Sequence, residues 1–247
     1  MQLSKDKSFR FAFLNNEAHP VGRLMLQRLC SGGYRPQMIV EERSSFAARK
    51  TAAYVKCLTN EEMPLSCRAI ADRFAIPLYV VENVNGPDCQ DALRRGEITI
   101  VILGNTRIIK PEMLALLGDG CFNVHPGLLP RVRGAFPQCW SILQDEPIGC
   151  TCHFVDVGVD TGPIINRKTV PVFREDNLER IVARTMFASA DLMLATLQNL
   201  QQLTANAEPQ IGSEGTTFPW PSHDKIEAAR IKLALGEYCH FAPSLDA

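Results

Sequence analysis

Two stretches of this chain carry side chains able to hold protons and meet developing charge. The first is Asn123-Val-His125-Pro-Gly-Leu-Leu-Pro130, which follows the apolar residues Cys121 and Phe122. In an open α/β sheet the reactive groups collect at the carboxyl ends of strands. Asn123 and His125 are two residues apart, so on a persisting strand they face the same side. Pro126 keeps His125 out of the helical region and Gly127 permits a tight departure. A carboxamide and an imidazole then stand side by side on a stiff turn, although an Asn-x-His pair capping its own loop has the same sequence. The second stretch, His153 to Pro163, holds Asp156, Gly158, Asp160 and Gly162 between two apolar runs. Asp beside Gly is a common turn former, so its chemistry stays open on the sequence pattern.

The elements around them alternate. An apolar run from Phe9 to Asn15 leads through a loop to a helical pattern from Pro20 with Val21, Leu24, Met25, Leu26 and Leu29. Met38 to Val40 and Leu78 to Val81 are further strands, separated by helical segments of which one carries Cys67, Ile70, Ala71 and Phe74. Ile98 to Leu103 is β-branched nearly throughout and closed by Gly104, the pattern of a buried strand. A helix from Pro111 to before Gly118 connects it to the strand Cys121 to His125. Such alternation predicts an α/β fold with a doubly wound, mostly parallel Rossmann-like sheet. After a helix from Pro137, Ile148 to Val155 and Pro163 to Val172 read as two antiparallel strands, and Leu178 to Leu203 as one long amphipathic helix. The expected organisation is a catalytic domain over 1–203, followed by a turn-rich linker and a short helical extension, His223 to Leu235, within 204–247.

With 247 residues, 46% of them hydrophobic, the chain can bury one substantial core. Its 26 basic and 27 acidic residues leave a net charge of -1, and no Lys/Arg block exceeds two. That balance argues against nucleic acid and for a small neutral or anionic substrate. No signal-peptide pattern opens the chain and no apolar run reaches the roughly 18 residues of a membrane span, so a cytoplasmic location and no membrane partner are expected. Nine scattered cysteines suit a reducing compartment without disulfides. Cys150, Cys152 and His153 lack a second ligand pair at metal spacing, so no metal is expected. No Gly-x-Gly-x-x-Gly follows the first strand, which disfavours a nucleotide-binding Rossmann protein.

The run from Ile98 to Val172 resembles the formyltransferases that use 10-formyltetrahydrofolate: glycinamide ribonucleotide, methionyl-tRNA and amino-sugar formyltransferases, and formyltetrahydrofolate hydrolase. Asn123-Val-His125-Pro-Gly-Leu-Leu-Pro130 with Arg133-Gly134 is similar to that family's Asn-x-His, Leu-Leu-Pro and Gly signature. Val159-Asp160-Thr-Gly162-Pro163 is similar to its Asp-x-Gly loop. The resemblance implies that Asn123, His125 and Asp160 are the catalytic group. Asn123 and a protonated His125 would donate to the tetrahedral oxyanion formed when an amine attacks the formyl carbon, and Asp160 would hold the imidazolium and relay a proton. It also implies 10-formyltetrahydrofolate as co-substrate, with its pterin beside Leu103, Arg107, Ile108 and Ile109 and against Val155, Asp156 and Val157. Sugar-acting members often pair, so the resemblance also allows a homodimer.

Departures from the family's subgroups narrow the acceptor. The first loop, Asn15-Asn16-Glu17-Ala18-His19-Pro20, has no Gly before Gly22 and an acid in its middle, which disfavours a phosphate and with it purine synthesis. There His19 reads as a solvated loop histidine, with contact to a substrate as the alternative. No basic excess suggests transfer RNA, and the catalytic residues start too early for the hydrolase's extra N-terminal domain. The segment Phe136-Pro-Gln-Cys-Trp140 resembles the aromatic-bearing segment of the amino-sugar enzymes. Trp140 reads as a core residue, and Phe218-Pro-Trp-Pro221 as either a lid over substrate or a clamp on the sheet. The expected activity is formyl transfer to the primary amine of a small substrate, such as a nucleotide-linked amino sugar. The hydrolase, the glycinamide ribonucleotide enzyme and a non-catalytic folate-binding module are the alternatives.

Overall fold

The computed structural model describes residues 10–43, 48–58, 63–211 and 214–243. The polar N-terminus, Phe9 at the expected start of the first strand, and Gly212-Ser213 of the turn-rich linker lie outside the described residues. A seven-stranded sheet has the order β3-β2-β1-β4-β5-β7-β8. Its parallel part comprises β1 (Phe11–Asn16), β2 (Met38–Glu42), β3 (Leu78–Val81), β4 (Ile100–Asn105) and β5 (Gly120–His125). The edge is completed by β7 (Gly149–Phe154) and β8 (Ile164–Thr169), both antiparallel to their neighbours. The doubly wound, mostly parallel architecture expected from the alternating pattern is present.

Alternation along the strands divides the interior into two cores. Phe11, Phe13, Ile100, Ile102, Phe122 and Val124 enter one, with α1 (Pro20–Ser31), α3 (Cys67–Phe74) and α7 (Leu178–Gln198). Ala12, Leu14, Val101, Leu103 and Cys121 enter the other, under α4 (Pro87–Arg95) and α5 (Pro111–Leu114). Parallel strands covered on both sides explain the continuous apolar runs. Cys150 and Cys152 share the first core and are fully buried, and desolvation pushes both thiols up to about 12.

Three boundaries differ from the sequence pattern. The long helix expected to Leu203 stops at Gln198 and resumes as α8 (Leu200–Ala205), because Asn199, at φ -125, leaves helical geometry and turns its amide onto the Ala195 carbonyl. The helix after Pro111 is a single turn. The strand expected from Ile98 begins at Ile100, because the Ile98 N–H closes the end of α4 on Leu93.

Two elements of the C-terminal stretch, within 214–243, pack back on the rest of the chain. In a second, two-stranded sheet β6 (Val132–Gly134) pairs in parallel with β9 (Thr216–Phe218), while α9 (His223–Ala234) lies on α6 (Pro137–Leu143). Glu208 and Ile164 exchange both backbone hydrogen bonds at 2.8 Å. Among the described residues no helix is long and apolar enough to cross a membrane.

Candidate active site

Because β5 sends Phe122 and Val124 into one core and Cys121 into the other, Asn123 and His125 stand together on the Cys121 side. The antiparallel register of β7 sets His153 opposite Asn123 and Thr151 opposite His125. Four polar side chains thereby share one side of two paired strands. Thr151 Oγ1 accepts from the Leu129 N–H at 3.1 Å and donates to the Gly127 carbonyl at 2.8 Å, which ties the turn after His125 to the sheet.

The hydrogen-bond partners of the two histidines assign their protons. His125 Nε2 lies 2.8 Å from the Val132 carbonyl, which can only accept, so this nitrogen carries a hydrogen. Nδ1 lies 3.3 Å from Asp160 Oδ2 and so faces that carboxylate. Both His125 ring nitrogens thus face acceptors of the protein, Nε2 the Val132 carbonyl and Nδ1 the Asp160 carboxylate. His153 Nδ1 donates to the Phe154 carbonyl at 2.7 Å, leaving Nε2 to accept from Asn123 Nδ2 at 3.2 Å. Burial pushes the His153 pKa below the ordinary histidine range despite the pull of Asp160, which keeps Nε2 an acceptor. Asn123 is thus oriented through one N–H, with the second left over at the cavity.

Asp160 sits at φ +55, a left-handed conformation that non-glycine residues adopt at a cost of ~1 kcal/mol or more. Its carboxylate accepts from the Gly134 N–H at 2.9 Å and lies 3.6 Å from His153 Nε2. Gln210, from the C-terminal segment, donates through Nε2 to the Asp160 carbonyl at 3.0 Å and the Gly162 carbonyl at 2.7 Å, while its Oε1 accepts from the buried Arg133 at 3.0 Å. Gly162 packs so closely that a Cβ there would lie 1.9 Å from the Phe154 carbonyl oxygen. The loop's conformation is over-determined, which holds Asp160 in a sparsely populated backbone region.

These groups line a cavity of about 500 Å³. Leu103, Ile109 and Val155, from the second core or packed against it, form an apolar wall together with Ile108, which is 67% exposed. One of the folate-side expectations changes. Val157 is 73% exposed and outside the lining, because the Asp156 carboxylate accepts from the Gly158 N–H and the Thr161 hydroxyl and so turns the loop between them outward; Gly158 and Val159 line the cavity instead. Arg107 reaches the lining, yet its guanidinium grips the buried Glu42 carboxylate, with Nε 3.0 Å from both oxygens. Only its backbone remains for reading a ligand's edge.

His19 is not solvated. It is 1% exposed, packs 5.0 Å from the Tyr54 ring and lines the cavity with Asn16. Desolvation, and secondarily the Arg23 charge, lower its pKa to about 3. A folded-state pKa below the unfolded value means that the unfolded chain binds the extra proton first, so stability is lost as pH falls through about 6.5. Between pH 7 and pH 5 His19 alone is expected to cost about 2 kcal/mol, and His19→Gln to flatten that slope in urea unfolding. An unchanged slope in the variant would show that His19 is not buried in neutral form. Glu17 also differs from expectation: it points away to Arg43 at 3.1 Å and does not line the cavity. Among the described residues lining the cavity the one Lys or Arg is Arg107, and it is paired with Glu42.

His153, Gln210 and Tyr54 carry no signal for the site in the linear pattern, whereas Phe136 belongs to the expected aromatic-bearing segment and Trp220 to the stretch that reads as lid or clamp. Strand register, the return of the C-terminal segment and the placement of α2 (Ala48–Lys56) bring them to the site. The Phe218–Pro221 alternative resolves in part: Phe218, Pro219 and Trp220 line the cavity, and the Pro219 carbonyl accepts from Trp140 Nε1 at 2.9 Å while Phe218 stacks on the Trp140 ring. Trp140 therefore supports the wall from behind.

Comparison with known proteins agrees with this architecture. A methionyl-tRNA formyltransferase from Thermosynechococcus vestitus is 34% identical over 181 residues, which cover 71% of this chain and 54% of that protein. One from Trichlorobacter lovleyi is 32% identical over 158 residues, covering 63% and 50%. The chain spans about half the length of the curated relatives it matches. Among solved structures, a phosphoribosylglycinamide formyltransferase from Anaplasma phagocytophilum superposes with a TM-score of 0.62 at 21% identity, covering 86% of this chain and 99% of that one. The N-formyltransferase of Helicobacter canadensis, solved in complex with folinic acid and dTDP-3-aminofucose, superposes with a TM-score of 0.61 at 17% identity, covering 96% and 85%. The formyl transferase family model matches residues 49–197, a span that takes in the paired strands bearing Asn123, His125 and His153 as well as the Asp160 loop, and by that match this chain belongs to the formyl transferase family.

Proposed function

We propose that this protein moves a formyl group from 10-formyltetrahydrofolate to the primary amine of a small acceptor such as an amino sugar. The observation that carries this reading is the convergence of Asn123, His125, His153 and Asp160 at one cavity, each within hydrogen-bonding or ion-pair distance of another member. An apolar slot beside Leu103, Ile109 and Val155, with backbone groups of 107–109 at its edge, suits a flat heteroaromatic ring. Asn123 offers its remaining N–H to the formyl oxygen as that oxygen gains charge, a contact worth about 2.7 to 4 kcal/mol in a water-poor site. Asp160, sharing a proton with His125 Nδ1, accepts the proton that the attacking amine sheds and returns it to the departing folate nitrogen. His153 takes no part in the transfer and keeps Asn123 aimed.

The test is to incubate the protein with 10-formyltetrahydrofolate and a panel of acceptors: free and nucleotide-linked amino sugars, glycinamide ribonucleotide and methionyl-tRNA, the last included because it names the curated relatives. Tetrahydrofolate should appear only with an acceptor, and fastest with an amino sugar. Equal release into water would make the protein a hydrolase. No release in any arm would overturn formyl transfer.

A further inference from the structure

Beside the catalytic group the cavity has a second wall, built from separate parts of the chain. Asn16 and His19 come from the loop after β1, Tyr54 from α2, Phe136 from the turn before α6, and Trp220 from the C-terminal segment. Phe136 and Trp220 stack with centroids 5.1 Å apart and an interplanar angle of 12°, and the Tyr54 ring stands edge-on to both. Phe136 is held at φ +53 to place its ring there, a conformation disfavoured for a bulky residue and typical of functional positions.

The polar atoms of this wall are incomplete. Asn16 Oδ1 and His19 Nδ1 are both buried, both belong to residues lining the cavity, and neither has a hydrogen-bond partner. Buried polar atoms normally have partners, so two such atoms at one cavity mark the place of a ligand that supplies them. The charge of the wall is also specific. His19 stays neutral at physiological pH, and among the described residues lining the cavity Arg107 is the only Lys or Arg, locked to Glu42. Among the described residues of this wall no charge compensates a phosphate dianion.

We propose that Asn16, His19, Tyr54, Phe136 and Trp220 form the acceptor subsite, and that it takes an uncharged, hydroxylated ring carrying the amine. Ring hydroxyls supply donors to Asn16 Oδ1 and the neutral His19, and a C–H face of the ring lies on the aromatic group. Any phosphate of a larger acceptor lies outside this wall. The proposal rests on the formyl-transfer reading and deepens it.

Two measurements separate the proposal from that reading. Steady-state assays with 10-formyltetrahydrofolate compare D-glucosamine, its phosphomonoester and cyclohexylamine as acceptors. D-Glucosamine is expected to be preferred over both, and Trp220→Ala to raise its KM about tenfold while the folate KM stays within about twofold, with Trp220→Phe restoring most of the loss. Preference for the phosphomonoester, equal use of cyclohexylamine, or a Trp220→Ala effect confined to the folate KM would overturn the assignment. If no acceptor releases tetrahydrofolate, formyl transfer fails, and saturation-transfer NMR with D-glucosamine still decides the wall. Ring-proton signals that weaken in Trp220→Ala support the subsite, and their absence with the wild-type protein sinks it.

Discussion

Asp160→Asn and His125→Ala are each expected to lower kcat by about 10²- to 10³-fold with the folate KM nearly unchanged. Asparagine keeps the size and the acceptor oxygen that meets the Gly134 N–H, so the loop survives while the ability to take up a proton is lost. In His125→Ala the carboxylate loses its partner at 3.3 Å and the proton has no second residence. The two groups share one proton, so the double variant should fall little further than either single one. The His125 change also leaves the Val132 carbonyl unpaired, at a cost of about 1 to 3 kcal/mol. Asp160→Asn is free of that complication. A kcat within threefold of the wild type for Asp160→Asn, in protein that unfolds normally, would remove the carboxylate from the mechanism.

The second large effect concerns the joint between the C-terminal segment and the catalytic loop. Gly134 sits at φ +93, pairs with Phe218 across the small sheet and gives its N–H to Asp160. A Cβ there would lie 2.1 Å from the Phe218 carbonyl oxygen, a backbone atom with no flexible side chain to yield. Gly134→Ala must therefore part β6 from β9 or turn the Gly134 N–H away from the carboxylate. A destabilisation of about 2 to 4 kcal/mol is expected in denaturant titration, together with a fall in kcat below the unfolding transition. Unaltered stability and turnover would mean that the segment from Thr216 to Trp220 does not bear on the site.

Much of the fold was legible because its signals are local. The apolar run of β4 and the helical spacing of Cys67, Ile70, Ala71 and Phe74 depend on near neighbours along the chain, and both elements form, β4 starting two residues later than its apolar run. Asn123, His125 and Asp160 were legible for a different reason: a two-residue spacing on a strand fixes a common side, and the two motifs resemble a known family. The short Pro111 helix and the break at Asn199 were not legible, since their ends are set by side chain to backbone contacts that hydrophobic periodicity does not encode.

The residues that complete the site depend on distance in space. His153 faces Asn123 only because β7 runs antiparallel to β5 in one register, and a shift of one residue would turn it into the opposite core. His19 reads as a loop histidine until α2 covers it with Tyr54, and the desolvation that lowers its pKa exists only in the packed state. Gln210 reaches Asp160 across 50 positions of chain. The sequence by itself determined the alternating architecture, because strand and helix periods are properties of short segments, and its two motifs singled out Asn123, His125 and Asp160 as candidates by their resemblance to a known family. The tertiary structure alone decided which partner each histidine nitrogen meets, what holds Asp160, and that Arg107 in the cavity lining is paired with Glu42, because burial, register and ion pairing arise only when distant segments meet.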